Sequence, residues 1–181
     1  MSYIEEIIVH NKDFVESKQY ELYKTTKLPN KKIAVLSCMD TRLTELLPAA
    51  LNVKNGDIKI IKNAGAVITH PFGSVMRSLL IAVYDLGVED ILVIGHRDCG
   101  MRGLSVPTLI QKMLERGIPR ERIDMLGYYG VDINHWLKGF DNVEESVSKT
   151  MAIIRNHPLM PADVLIHGFI MDPVTGRLER L

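Results

Sequence analysis

The sequence predicts an α/β domain: a central, mostly parallel β-sheet of four strands plus a short antiparallel C-terminal strand, flanked by helices. Three observations predict it. Short apolar runs rich in β-branched residues alternate with stretches of helical periodicity. Gly, Pro and Asn punctuate the boundaries between them. The 181 residues, 46% of them hydrophobic, suffice for one domain with a real core and no staples.

Each element can be justified in order. "SYIEEIIVHNKDFVESKQYELYK" places Ile4, Ile7, Ile8, Val15 and Leu22 at roughly helical spacing, which predicts one or two amphipathic helices before Leu28-Pro29. Residues 1–27 form a helical arm ahead of the sheet. "KKIAVLSC" reads as the first buried strand. "TELLPAALNV" reads as a short helix with Thr44 as N-cap. "NGDIKIIKNAGA" is a turn and a second strand. "GSVMRSLLIAVYDLGV" is an apolar helix ending at Gly87. "EDILVIGH" is the third strand and the most hydrophobic. Residues 104–139 hold helical pieces broken by Gly117, Pro119, Gly127 and Gly130. "NVEESVSKTMAIIRNHP" is a helix with Asn142 as cap and Pro158 beyond its end. "ADVLIHGFIMD" is the fourth strand, "DPVTG" a turn, and "RLERL" a short strand paired back as a hairpin. There is no internal repeat or linker, so the chain reads as a single domain over 1–181.

Composition excludes several function classes. Lys+Arg and Asp+Glu are equal at 22 each, so no electrostatic case for nucleic acid exists. No apolar stretch reaches the length of a membrane span. The charged N-terminus lacks the apolar core of a signal peptide, which predicts a cytoplasmic protein. Thiols stay reduced there, so Cys38 and Cys99 read as ligands, nucleophiles or buried fillers rather than a disulfide. No glycine-rich phosphate loop follows any strand.

The chemistry gathers at two strand ends. In "AVLSCMDTRL" Cys38 closes the first strand, with Asp40 and Arg42 beyond it at period two while the chain stays extended. In "VIGHRDCGM" His96 and Cys99 follow the third strand, two residues apart, so that one turn can present both to one ion. In parallel sheets ligand sites lie beyond the carboxyl ends of the strands. Two thiolates and one imidazole suit Zn2+, and three protein ligands with a fourth position for water is the catalytic pattern. Asp40 has two options. It fills the fourth position as a ligand, or it pairs with Arg42 and leaves that position to water. In the second case it orients a zinc-bound hydroxide for attack on a small electrophile. Taken singly, each cysteine reads as a buried small hydrophobe, and Asp-x-Arg as a surface pair. Only the combination points to a metal site.

At these residues the chain resembles the β-class carbonic anhydrases, in a shorter branch of the family. "CMDTR" matches the family's C-x-D-x-R and "HRDC" its H-x-x-C. "KNAGA", "RSLLIAVYDLGVEDILVIGHRDCGM" and the last helix, strand and hairpin extend the likeness over nearly all of the chain after the first helix. The resemblance implies a zinc lyase that hydrates CO2 reversibly to bicarbonate and a proton. It implies zinc on Cys38, His96 and Cys99, with Asp40 as movable ligand and Asp40 and Arg42 as catalytic dyad. It also implies a homodimer as minimal unit, tetramers in some members, an active site near the subunit interface, and an N-terminal helix that packs on the partner. An inhibitory bicarbonate pocket of some members uses a Trp and an Arg, where this chain has Val35 and Lys62. That pocket is expected to be absent. Alternatives on the same residues are carbonyl sulfide or carbon disulfide hydrolysis, or a non-catalytic zinc or thiol redox protein.

Other residues carry weaker expectations. Gly65 and Gly95 serve close backbone approach to the site or ordinary packing equally well. Asp98 reads as a local backbone cap. His70, His135, His157 and His167 read as structural or exposed, and the sequence selects no proton shuttle among them. Arg77 reads as a buried ion-pair or interface residue, and Trp136, Tyr128 and Tyr129 as packing residues.

Overall fold

The computed structural model describes residues 2–181. A five-stranded sheet in the order β2-β1-β3-β4-β5 forms the centre. Its strands are β1 (Ile33–Cys38), β2 (Ile58–Asn63), β3 (Asp90–His96), β4 (Leu165–Met171) and β5 (Leu178–Arg180). The first four are parallel neighbours, and β5 folds back antiparallel on β4 with Met171 opposite Leu178. That is the predicted architecture. The hairpin follows from Asp172, whose carboxylate accepts hydrogen bonds from the Val174 and Thr175 amides and tightens "DPVTG".

The central strands β1 and β3 are almost wholly buried, as their β-branched runs require. One face of the sheet is covered by α3 (Ser74–Tyr84) and α7 (Val143–Arg155), around Leu36, Met76, Leu79, Ile91, Val93, Val147 and Ile154. The other is covered by α2 (Leu43–Ala50), around Val35, Leu43, Leu47, Ile94 and Met171. Asn142 caps α7 by accepting from the Glu145 amide at 2.8 Å, as predicted. Gly95 lets α7 approach β3. A Cβ there would lie 2.7 Å from Val143 and Val147 methyl carbons, so its role is helix packing rather than access to the site.

Several local expectations are corrected. Thr44 does not cap α2. The cap position is Arg42, with no side-chain cap bond, because the chain turns into the helix two residues earlier. The unclear stretch resolves into α4 (Val106–Glu115), α5 (Arg120–Asp124), a 3-10 turn (Met125–Tyr129) and α6 (Ile133–Trp136). Tyr128, Tyr129 and Trp136 are exposed there and lie outside the core. Arg77 is exposed and pairs with no carboxylate among the described residues. The arm is α1 (Tyr3–Glu16) and a 3-10 turn (Gln19–Tyr23). A capping box of Ser2 and Glu5 starts α1. The helix buries no residue and leaves Ile4, Ile7, Ile8 and Val9 exposed. Among the described residues no helix is long and apolar enough to cross a membrane.

Candidate metal centre

The strand order places β1 between β2 and β3. The chain leaves β1 to one side and returns on the other, so a crevice opens at the carboxyl ends of β1 and β3. Cys38 and His96 are the last residues of those two strands, and Cys99 follows in the next turn. All three are buried, and their donor atoms lie within 4.8 Å of one another. The cysteines are free thiols with Sγ atoms 3.8 Å apart. Two thiolates on one tetrahedral zinc, each about 2.3 Å from it, stand about 3.8 Å apart.

His96 is oriented for the same purpose. Its Nδ1 lies 2.8 Å from the Arg97 carbonyl, which fixes that nitrogen as the N–H donor. Its Nε2 is buried and has no hydrogen-bond partner among the described residues. An orphaned imidazole nitrogen beside two buried thiols is a poor arrangement for a core and a good one for a cation. The electrostatics agree. The hydrogen bond from Cys99 is the main cause that lowers the Cys38 pKa, against burial and with help from the Gly65 amide. Cys99 is raised, first by that thiolate and then by burial. Burial works against a charged His96, and the neighbouring Cys38 thiolate outweighs it, so its pKa is raised. The cluster thus attracts positive charge. Its soft sulfur and imidazole donors fit zinc.

Gly65 serves the site directly. It follows β2 with φ +85°, and its N–H donates to Cys38 Sγ at 3.4 Å. A Cβ there would meet the Phe140 ring at 3.0 Å. Only glycine takes this conformation without strain while the amide faces the sulfur.

Asp40 and Arg42 come together, but not by strand alternation. β1 stops at Cys38, and a turn into α2 folds Arg42 back on Asp40. Three Arg42 groups donate to the carboxylate: the backbone N–H and Nε to Oδ1, at 2.9 and 3.0 Å, and Nη2 to Oδ2 at 2.8 Å. These bonds hold the Asp40 pKa down at about 2 and raise that of Arg42. Oδ2 of Asp40 also lies 3.8 Å from His96 Nε2. The carboxylate therefore faces the donor cluster while Arg42 holds it.

Asp98 differs from expectation. It adopts a left-handed conformation, φ +53°, and accepts from Arg42 Nη1 at 2.9 Å instead of capping its own turn. Its carbonyl accepts from Arg42 Nη2, also at 2.9 Å. The sequence carried one signal for this: a lone acid inside the ligand turn, at the strand end adjacent to that of Arg42.

The other singled-out residues lie elsewhere. Val35 is in the core, and Lys62 donates to the Leu43 carbonyl. His157 is buried and accepts from the Leu159 amide. His167 bonds Asp90 at 2.7 Å, His70 accepts from the Phe72 amide, and His135 is exposed. Beside the ligand turn a cavity of about 270 Å³ is lined by His96, Cys99, Arg102, Phe140 and the first turn of α7.

Comparisons with known proteins follow the same lines. A family model described as carbonic anhydrase matches residues 33–178. A Bacillus subtilis protein provisionally named as a carbonic anhydrase, YtiB, is 54% identical over 179 residues, 99% of this chain and 96% of its own. A carbon disulfide hydrolase of Acidithiobacillus thiooxidans is 29% identical over 178 residues, 92% of this chain and 86% of its own. The crystal structure of a β-carbonic anhydrase, isoform I of Trichomonas vaginalis, superposes with a TM-score of 0.91 at 35% identity. That match covers 99% of this chain and 97% of the other. With the family model spanning the sheet and both strand-end motifs, this chain belongs to the β-carbonic anhydrase family.

Proposed function

We propose that the chain is a zinc-dependent carbonic anhydrase, which interconverts CO2 with bicarbonate and a proton. Cys38, His96 and Cys99 would hold the zinc, and Asp40 and Arg42 would act as the catalytic pair. One observation carries this reading: Arg42 occupies Asp40 with three hydrogen bonds, so the carboxylate stands beside the three donors instead of joining them.

A zinc ion in this site supplies the Lewis acidity that makes hydroxide available near neutral pH. The chain supplies the rest. Asp40, kept ionised by Arg42, offers Oδ2 as the acceptor for the proton that stays on the attacking oxygen. That fixes the direction of the oxygen lone pair toward the carbon of CO2. The new C–O bond forms, one C=O π pair moves onto oxygen, and the second proton of the original water leaves to solvent. The reduced thiols that this role requires go with a cytoplasmic protein. The exposed Ile4, Ile7 and Ile8 of α1 support a homodimer in which each arm packs on the partner, as the basis of any larger assembly.

Stopped-flow hydration of CO2 tests the reading. Cys38→Ala should lose zinc, measured by metal analysis. Asp40→Ala should keep zinc and lose at least about a hundredfold in kcat. A zinc-loaded protein inactive at every pH between about 6 and 9 refutes it.

One observation favours a second reading. The carbon disulfide hydrolase relative aligns in sequence with this chain over 86% of its own length. The same site would then attack carbon disulfide or carbonyl sulfide, and sulfide release with those substrates separates the two activities.

A further inference from the structure

Arg42 makes five hydrogen bonds, and they divide between two acids. Three go to Asp40. Two go to Asp98: Nη1 to the carboxylate and Nη2 to the backbone carbonyl. The guanidinium thus bridges the turn after β1 to the turn after β3, a span of 56 residues in sequence. Both turns are anchored to strand ends that carry donor atoms.

This division has a physical consequence. A guanidinium held only by Asp40 would follow that carboxylate wherever it moved, because separation would leave its donors to water. With Asp98 in place, Arg42 keeps two acceptors whatever Asp40 does. We propose that Asp98 is a positioning residue: it fixes Arg42 from the ligand turn, so that Arg42 holds Asp40 in one orientation toward the site. The proposal rests on the roles given above to Asp40 and Arg42.

Asp98 lines the cavity beside the ligand turn, and its side-chain and carbonyl contacts go to Arg42 rather than to the donor atoms. Its side chain is 85% exposed and that of Arg42 39%, so solvent screens the pair and its effect is modest. The left-handed backbone offers a competing explanation, since Asp and Asn are tolerated there better than most residues. Glycine takes that conformation without cost. Asp98→Gly therefore removes the carboxylate without straining the turn, and Asp98→Asn keeps a neutral acceptor. The two variants separate a positioning role from a turn-forming one.

The experiment uses zinc-loaded protein, with metal content checked for every variant. Stopped-flow CO2 hydration gives kcat and KM. Nitrogen-15 NMR of the arginine side chains gives the rotation rate of the Arg42 guanidinium about its Nε–Cζ bond. Asp98→Gly should lower kcat about three- to fivefold with KM unchanged, and should speed Arg42 rotation by a similar factor. Asp98→Asn should fall between Asp98→Gly and the wild type in both. Wild-type kcat and wild-type Arg42 rotation in Asp98→Gly overturn the proposal and leave Asp98 as a turn residue. Arg42→Ala provides the separate check. If it retains full hydration activity, the reading of the catalytic pair fails, whereas the NMR result still decides whether Asp98 holds Arg42.

Discussion

Replacing Gly65 by alanine tests how the Cys38 sulfur is supported. Gly65 has φ +85°, a conformation that costs an L-residue about 1–2 kcal/mol. The added Cβ would lie 3.0 Å from Phe140 Cε1 and 3.1 Å from Met101 Cγ, both inside ordinary contact distance. Both are side chains that can shift by a few tenths of an ångström, which adds about 1 kcal/mol of overpacking. The sum is about 2–3 kcal/mol. For a chain of this size each kcal/mol moves Tm by about 2–4 °C, so a loss of about 5–10 °C is expected. Differential scanning calorimetry of zinc-loaded wild type and Gly65→Ala measures it. A second outcome supports the same reasoning: the backbone relaxes, the 3.4 Å N–H···S contact opens, and zinc affinity drops in a competition titration with a chromophoric chelator. A variant with Tm within about 2 °C of wild type and undiminished zinc affinity would refute the reasoning.

Two further outcomes follow from the site and the arm. The folded pKa of Asp40, about 2, lies below its ordinary 3.8, so its ionisation stabilises the fold fully above pH 3.8 and progressively less as pH falls through about 2. In carboxyl carbon NMR of the metal-free protein Asp40 should titrate near 2, and Arg42→Ala should return it toward 3.8; a wild-type value near 3.8 removes the clamp. Deleting residues 2–18 takes away exposed Ile4, Ile7, Ile8 and Val9 without touching the core, so the sheet should stay folded while sedimentation velocity shows at least a tenfold weaker dimer. An unchanged dimer constant would show that the arm does not hold the partner.

The strands were legible because they are buried: β1 and β3 read as apolar runs, and their ends delivered Cys38 and His96 to the site. The cap of α7 was legible because Asn142 acts within three residues of its partner. What the sequence hid depends on turns. Period two placed Asp40 and Arg42 on one side of an extended chain, yet the strand ends before them and the turn pairs them instead. Asp98 was misread as a local cap because its partner lies 56 residues away, across a strand pairing that no local pattern reveals. Tyr128, Tyr129 and Trp136 read as packing residues, and they face outward in the single chain; Arg77 is exposed too, which removes the buried ion-pair reading and leaves the interface one. Residues 104–139 were obscure because their helices are short and interrupted by glycines, which leaves little periodicity to detect.

Two of the three donors stand on backbone of a different kind from the acid. Cys38 and His96 terminate strands in the middle of the sheet, whose amides open to solvent only when the whole domain unfolds. Asp40 and Arg42 sit in the turn after β1, which is held to the ligand turn by the Arg42–Asp98 bonds rather than by strand pairing. Heating should therefore loosen Asp40 before it loosens Cys38 and His96. Any activity that depends on Asp40 should then fade reversibly at temperatures where the hydrogen-exchange protection of the central strands persists.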